Sequence, residues 1–109
     1  MTDGHGAASD GRHVLRLFVS GTTARSVRAV ENLRHLLERE LPGRYDLQVI
    51  DIYQDPQAAR DHQVIAAPTL VRLAPEPIRR IIGDLSNRER VLRGLGIEPV
   101  GAGDGVTTG

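Results

Sequence analysis

The first half of the chain changes from a β-strand pattern of hydrophobic residues to a helical pattern and back. Residues His13–Val19 (HVLRLFV) are largely apolar on both faces of a strand, which predicts a central strand. Hydrophobic residues then recur at helical spacing from Ala24 to Leu41, and Pro42-Gly43 ends the helix. Tyr45–Ile52 (YDLQVIDI) predicts a second strand, so this half forms a right-handed βαβ unit with parallel strands. The hydrophobic positions of the predicted helix are Val27, Val30, Leu33, Leu37 and Leu41.

The second half has shorter elements and is interrupted by prolines. Asp55-Pro56 places an N-cap before a proline in the first helical turn, which predicts a short helix. Thr69–Leu73 and Ile78–Ile82 predict two further strands. Ser86-Asn87-Arg88-Glu89 is a capping-box sequence at the start of a last helix, whose apolar positions are Val91, Leu92 and Leu95. The order βαβαββα predicts an α/β domain with the thioredoxin-like arrangement, in which two antiparallel strands complete the sheet.

The length and composition fit one such domain. The chain has 109 residues, of which 39% are hydrophobic, enough for one modest core. Both ends are polar and rich in glycine, so we expect a disordered leader at 1–12, the folded domain at 13–97 and a flexible tail at 98–109.

The charge balance argues against nucleic acid as a partner. Fourteen basic residues are matched by fourteen acidic ones, whereas a nucleic-acid binder needs surplus positive charge to displace counterions from phosphates. Three aromatic residues also offer few surfaces on which bases can stack. All fourteen basic residues are arginine, whose planar guanidinium pairs well with the carboxylates of a protein partner.

The absence of cysteine removes several kinds of chemistry. Disulfide exchange, thiol catalysis and cysteine-ligated metal sites all need a thiolate, and the chain has none. The four histidines are scattered rather than spaced as metal ligands, so we expect neither a metal site nor a cofactor. No stretch is apolar and long enough to span a membrane or to act as a secretory signal, so the expected location is the cytoplasm.

Three polar residues, Thr22, Thr23 and Asp51, are candidates for catalytic groups. Thr22 or Thr23, at the turn where thioredoxin-like enzymes carry their reactive residue, is a nucleophile only with a base nearby, and no histidine is near in sequence. Helix capping accounts better for these threonines. Asp51 lies in an apolar strand, where burial raises the pKa of a carboxyl group, but local capping or pairing at the strand end is the better explanation. We therefore predict that the chain is not an enzyme.

A proline precedes the third predicted strand, in Ala67-Pro68-Thr69. Thioredoxin-like folds keep a cis peptide bond at this place, opposite the start of the first helix. The alternative is an ordinary trans proline at the start of an edge strand.

Four distinctive stretches lie in order between about His13 and Ile97: LRLFVSGTTARSVRAVENL, LQVIDIYQDPQAA, IAAPTL and PIRRIIGDLSNRERVLRGLG. The last stretch is long and irregular. These stretches, in this order, resemble the KaiB family of circadian clock proteins.

The resemblance implies a non-enzymatic regulator that binds the ring of a KaiC-type ATPase. It also implies two folds of one chain, which share the N-terminal βαβ unit: a ground state, as a dimer or tetramer, and a thioredoxin-like state that binds the ring. The alternative function is a KaiB-like sensor domain that acts on a histidine kinase or in stress-response signalling. The basic positions that match the family's partner-binding residues are Arg28, Arg72, Arg79 and Arg80.

The chain departs from the family pattern at positions that bear on these expectations. The family's run of three prolines is Pro75-Glu76-Pro77 here, and Gly94-Leu95-Gly96 replaces Gly-Leu-Asp. Asp46 and Gln48 replace a neutral residue and a lysine in the second strand, which weakens the expectation that the chain captures KaiA. The candidates for the fold switch or for cis peptide bonds are Pro68, Pro75, Pro77, Gly94 and Gly96.

Overall fold

A computed structural model describes residues 12–97, which form a four-stranded sheet and three helices. The predicted tail and all but the last residue of the predicted leader lie outside this range. Within it, no helix is long and apolar enough to cross a membrane. The elements are β1 (His13–Val19), α1 (Ala24–Glu40), β2 (Tyr45–Asp51), α2 (Pro56–Asp61), β3 (Thr69–Ala74), β4 (Arg79–Ile82) and α3 (Arg88–Leu95).

The sheet has the strand order β2-β1-β3-β4. β1 pairs in parallel with β2 and antiparallel with β3, and β4 pairs antiparallel with β3. Leu17 therefore lies beside Val49 of β2 and Leu70 of β3, its partners on the two neighbouring strands. This is the predicted βαβαββα arrangement: β1 is central, as its two apolar faces indicated, and β2 and β4 are the edges.

Two hydrophobic clusters cover the two faces of the sheet. The larger one packs α1 and α3 against Leu15, Leu17 and Leu70, all of which are fully buried. The smaller one packs α2 and the segment after it against Phe18 and Val71. Each large aliphatic side chain buried in this way stabilises the fold by roughly 1.5–3 kcal/mol.

The buried face of α1 differs from the predicted one. Val27 is 43% exposed, whereas Ser26 and Glu40 are buried. The helix turns these two polar residues inward because each has a partner: the Ser26 hydroxyl accepts a hydrogen bond from the Ser20 amide (3.0 Å), and Glu40 pairs with Arg88. The residues of α1 that are buried are Ser26, Ala29, Leu33, Leu36, Leu37 and Glu40.

The cap of α3 also differs from the prediction. Asn87, not Ser86, caps the helix, because its side-chain oxygen accepts the hydrogen bond from the Arg90 amide (3.0 Å). The Ser86 amide donates instead to the Asp84 carboxylate at 3.1 Å. The predicted capping box is therefore wrong by one residue.

Candidate partner-binding surface

The hydroxyl groups in the turn from β1 into α1 have structural roles. Thr23 is the N-cap, and its hydroxyl accepts a hydrogen bond from the Ser26 amide (3.3 Å). The Thr23 and Ser20 hydroxyl oxygens lie 3.5 Å apart. No histidine is among these partners of Thr23, so the capping interpretation accounts for its hydroxyl.

Asp51 joins the carboxyl ends of the two parallel strands. One oxygen of its carboxylate accepts hydrogen bonds from the Gly21 amide (3.3 Å) and the Tyr53 amide (2.9 Å). The Tyr53 ring lies 3.8 Å from where a β-carbon on Gly21 would stand, and Gly21 has a φ of +60°. Asp51 thus forms the local hydrogen bonds that the strand-end explanation predicts.

The three candidate prolines all follow cis peptide bonds in the structure. Pro68 is buried, and its carbonyl accepts a hydrogen bond from the Gly83 amide (3.0 Å), which ties the loop before β3 to the end of β4. Because β3 lies inside the sheet, the alternative of a trans proline at an edge strand does not hold for Pro68. Pro75 and Pro77 lie in the turn between β3 and β4.

The structure does not bring the four candidate arginines together. Arg28 lies on α1, with its Nε 4.0 Å from the Asp84 carboxylate. Hydrogen bonds from the Ser86 hydroxyl and amide lower the pKa of Asp84, so this carboxylate stays charged near neutral pH. Arg79 and Arg80 are on the outer strand β4, at the sheet edge.

Arg72 differs from the other three candidates because it is buried. It is 5% exposed, and its guanidinium donates hydrogen bonds to the carbonyls of Leu95 and Pro77 (2.9 Å for the second). Burial lowers the pKa of Arg72, and the nearby charge of Arg79 lowers it further. Arg72 shares a face of β3 with Leu70, beneath α3, because alternate residues of a strand point the same way. In this fold it holds the end of α3 against the sheet and offers no surface to a partner.

Arg79 and Arg80 are exposed, and neither forms an ion pair with any of residues 12–97. The Arg80 guanidinium donates through Nε (3.3 Å) and Nη2 (3.1 Å) to the His62 carbonyl, which fixes its position. The exposed side chains of Ile78 (52%) and Ile82 (50%) flank the pair. This combination of free charge, apolar surface and an open strand edge is typical of a protein-binding surface.

Gly94 and Gly96 place α3 on this surface. A β-carbon on Gly94 would stand 2.7 Å from Cδ1 of Ile81, closer than real contacts allow, so glycine lets α3 approach β4. Gly96 ends the helix with a φ of +72°, the left-handed conformation that favours glycine.

Two features of this region were missed by sequence reasoning. Glu40 is fully buried and accepts a hydrogen bond from Arg88, which ties the end of α1 to the start of α3. Glu40 lies three and four residues after Leu37 and Leu36, so its helical spacing was a signal that the sequence offered. Arg90 lines a groove beside β4, and no local pattern indicates this position.

Residues 12–97 contain no cluster of three or more histidine or acidic side chains that is arranged to hold a metal ion.

Comparison with known proteins places the chain among clock proteins. A sequence model of the KaiB domain matches residues 16–97. The circadian clock oscillator protein KaiB of Thermostichus vulcanus is 53% identical over 83 residues, which cover 76% of this chain and 77% of that protein. The N-terminal domain of Synechococcus elongatus SasA superposes with a TM-score of 0.64 at 26% identity, covering 78% of this chain and 84% of that domain. Mitochondrial thioredoxin 3 of Saccharomyces cerevisiae has a TM-score of 0.65 at 17% identity, with 84% and 83% covered, and shows the thioredoxin-like fold alone.

Proposed function

The chain belongs to the KaiB family of circadian clock proteins, and on that premise we propose that it regulates a KaiC-type ATPase ring by binding it, without catalysing a reaction itself. The observation that carries the proposed contact is the Arg79–Arg80 pair on the outer strand β4, exposed and without an ion pair among residues 12–97. Two unneutralised arginines at an open edge attract a partner surface that carries carboxylates.

Arg28 supports the same contact from α1. Its side chain is 56% exposed, and its ion pair with Asp84 spans 4.0 Å. Exposed ion pairs of this kind stabilise a fold by roughly 0–1 kcal/mol, so the arginine exchanges Asp84 for a partner's carboxylate at little cost. Arg72 is left out of the proposed contact because it is buried in this fold.

The test is retention of the full chain on a KaiC-type ATPase ring in the presence of ADP. The double variant Arg79→Glu/Arg80→Glu should bind about tenfold more weakly, or about 1.4 kcal/mol, because both charges are reversed at the contact. The difference should shrink at high salt, which screens exposed charges.

The matched control is Arg34→Glu/Arg44→Glu, which makes the same change of charge at two exposed arginines. Arg34 and Arg44 lie beside the start of β2, at the other edge of the sheet from β4. Equal loss of retention in both double variants, or none in either at low salt, would remove β4 from the contact. Retention on a clock-type histidine kinase but not on the ring would favour the sensor-domain alternative.

We further propose that binding is linked to a change of fold in the C-terminal half, with a dimeric or tetrameric ground state. In support, α3 is held by its buried side chains Val91, Leu92 and Leu95 and by specific contacts that reach distant segments: Arg72 with Leu95, Gly94 with Ile81, and Arg88 with Glu40. A state populated at about 1% lies only about 2.7 kcal/mol above the dominant one, a gap that a few such contacts cover. NMR should show a second set of peaks for the C-terminal half, and the ring should enrich one set. A single set that the ring leaves unchanged would contradict the switch.

A further inference from the structure

A groove runs between the edge strand β4 and the helix α3. It has a volume of about 290 Å³ and is lined by Arg80, Ile81, Ile82, Arg90 and Gly94. A second cavity of about 260 Å³ shares Ile81, Ile82 and Arg90 with the first and extends it toward Arg25 on α1. The absent side chain of Gly94 keeps the groove open at its α3 wall, because a β-carbon there would collide with Ile81.

One wall of the groove is an open backbone edge. β4 pairs with β3 on one side, and no strand of residues 12–97 lies on the other. Alternate residues of Arg79–Ile82 therefore direct their amide and carbonyl groups outward, where an extended peptide pairs with them. Four residues span about 13 Å, so the matching segment is about four or five residues long.

The charge of the groove selects among extended peptides. Arg79, Arg80 and Arg90 form no ion pair within residues 12–97. Asp84, at the Arg25 end, is already engaged by Ser86 and Arg28. The groove therefore carries a net positive charge, and an acidic segment complements it.

The apolar part of the groove distinguishes a peptide from a nucleic acid. Ile82 is half exposed and lines the groove together with Arg80 and Arg90. An apolar side chain of a bound peptide contacts Ile82, whereas a phosphate backbone has no apolar group to do so. A strand edge, in addition, pairs with peptide groups. An acidic peptide is thus the occupant that satisfies all three features.

We propose that this groove, which we call the β4–α3 groove, binds an extended, carboxylate-rich segment of the partner as an additional strand beside β4. The inference rests on the proposed function, because the segment belongs to the ATPase ring. Arg90 pairs with its carboxylates, Ile82 contacts an apolar side chain, and the outward groups of β4 pair with its backbone.

The first test uses three peptides with the ¹⁵N-labelled full chain. Ac-EVEVEV-NH₂ should shift the amide signals of Arg79–Ile82, Arg90 and Gly94, and Ac-KVKVKV-NH₂ should not. Methylating the backbone nitrogens that face β4 should weaken binding of the acidic peptide at least tenfold, because N-methyl groups block strand pairing. Shifts confined to Tyr45–Asp51 on the other edge, or equal binding of the methylated peptide, would overturn the proposal. So would binding of a twelve-nucleotide single-stranded DNA in place of the acidic peptide.

The second test uses Arg90→Glu, which lies outside the Arg79–Arg80 pair. This variant should bind the acidic peptide at least fivefold more weakly, whereas Arg34→Glu, with the same change of charge, should bind it normally. Glutamate in the first turn of a helix is favourable, so α3 is retained.

The two proposals fail in different ways. If Arg79→Glu/Arg80→Glu loses the ring while Arg90→Glu and the methylated peptide bind normally, the groove inference is wrong and the proposed function stands. If the acidic peptide occupies the groove but the unaltered chain never binds the ring, the groove is supported and the proposed function is wrong.

Discussion

The two halves of the molecule reach their structures in different ways. In the first half, β1 has seven residues and pairs on both sides, and the seventeen residues of α1 cover it with a long hydrophobic face. In the second half, β4 has four residues and pairs on one side, and α2 and α3 have six and eight. Elements this short are not stable by themselves, because helix formation has a costly nucleus. The second half therefore depends on contacts with the first.

This difference indicates which part of the chain opens locally at the lowest cost in free energy. The side-chain hydrogen bonds that hold α3 reach back across the chain: Arg72 to Leu95 over 23 residues, and Glu40 to Arg88 over 48. Local opening uses the regions with the fewest buried contacts. The proposed binding surface, made by β4 and α3, lies in the half that is held in this way.

The largest expected effect compares the two halves of the chain. Leu33→Ala in α1 and Leu92→Ala in α3 each remove a fully buried side chain and should each cost about 3 kcal/mol of stability. Hydrogen exchange should show protection lost throughout the chain for Leu33→Ala, but mainly in β4 and α3 for Leu92→Ala. Uniform loss of protection in both variants would mean that the halves form a single cooperative unit.

A smaller effect is expected from the ion pair that joins the halves. Arg88→Met removes a close ion pair of the buried Glu40 carboxylate, whose distance to Arg39 is longer at 3.9 Å, and should cost about 2 kcal/mol. Urea unfolding measures the loss. Arg93→Met is the control on the same helix, since its pair with Glu89 is exposed and should contribute no more than about 0.5 kcal/mol. Similar losses in both variants would contradict a special role for the buried pair.

The smallest effect tests the end of α3. Gly96→Asp restores the residue expected from the family and should destabilise the described fold by about 1 kcal/mol, because Gly96 has a φ of +72°. Gly43 has the same φ, +72°, in the turn after α1, so Gly43→Asp introduces equal strain in the first half. NMR peak intensities should show the second conformation gaining population in Gly96→Asp alone. An equal gain in both variants would show that general destabilisation, not the end of α3, sets the balance.

Sequence reasoning succeeded where a periodic hydrophobic pattern defines an element and failed where the individual contacts of a polar side chain decide the outcome. The strand His13–Val19 and the helix after it follow from alternation and helical spacing, which neighbouring residues define. The cap of α3 was misplaced because Ser86 and Asn87 are equally good caps by composition, and the bond from Ser86 to Asp84 decides between them. Val27 was wrongly placed in the core because Ser26 accepts a hydrogen bond from the Ser20 amide just before the helix and Glu40 pairs with Arg88 across the fold.

The amino-acid sequence by itself determined the order of the elements, the parallel βαβ unit, the thioredoxin-like arrangement and the resemblance to the KaiB family. Only the tertiary structure decided that Arg72 is buried, that Glu40 meets Arg88, and that Arg90 joins Arg80 in one groove. The physical reason is distance along the chain. Secondary structure depends on residues a few positions apart, whereas the surroundings of a long charged side chain depend on which distant segments pack against it.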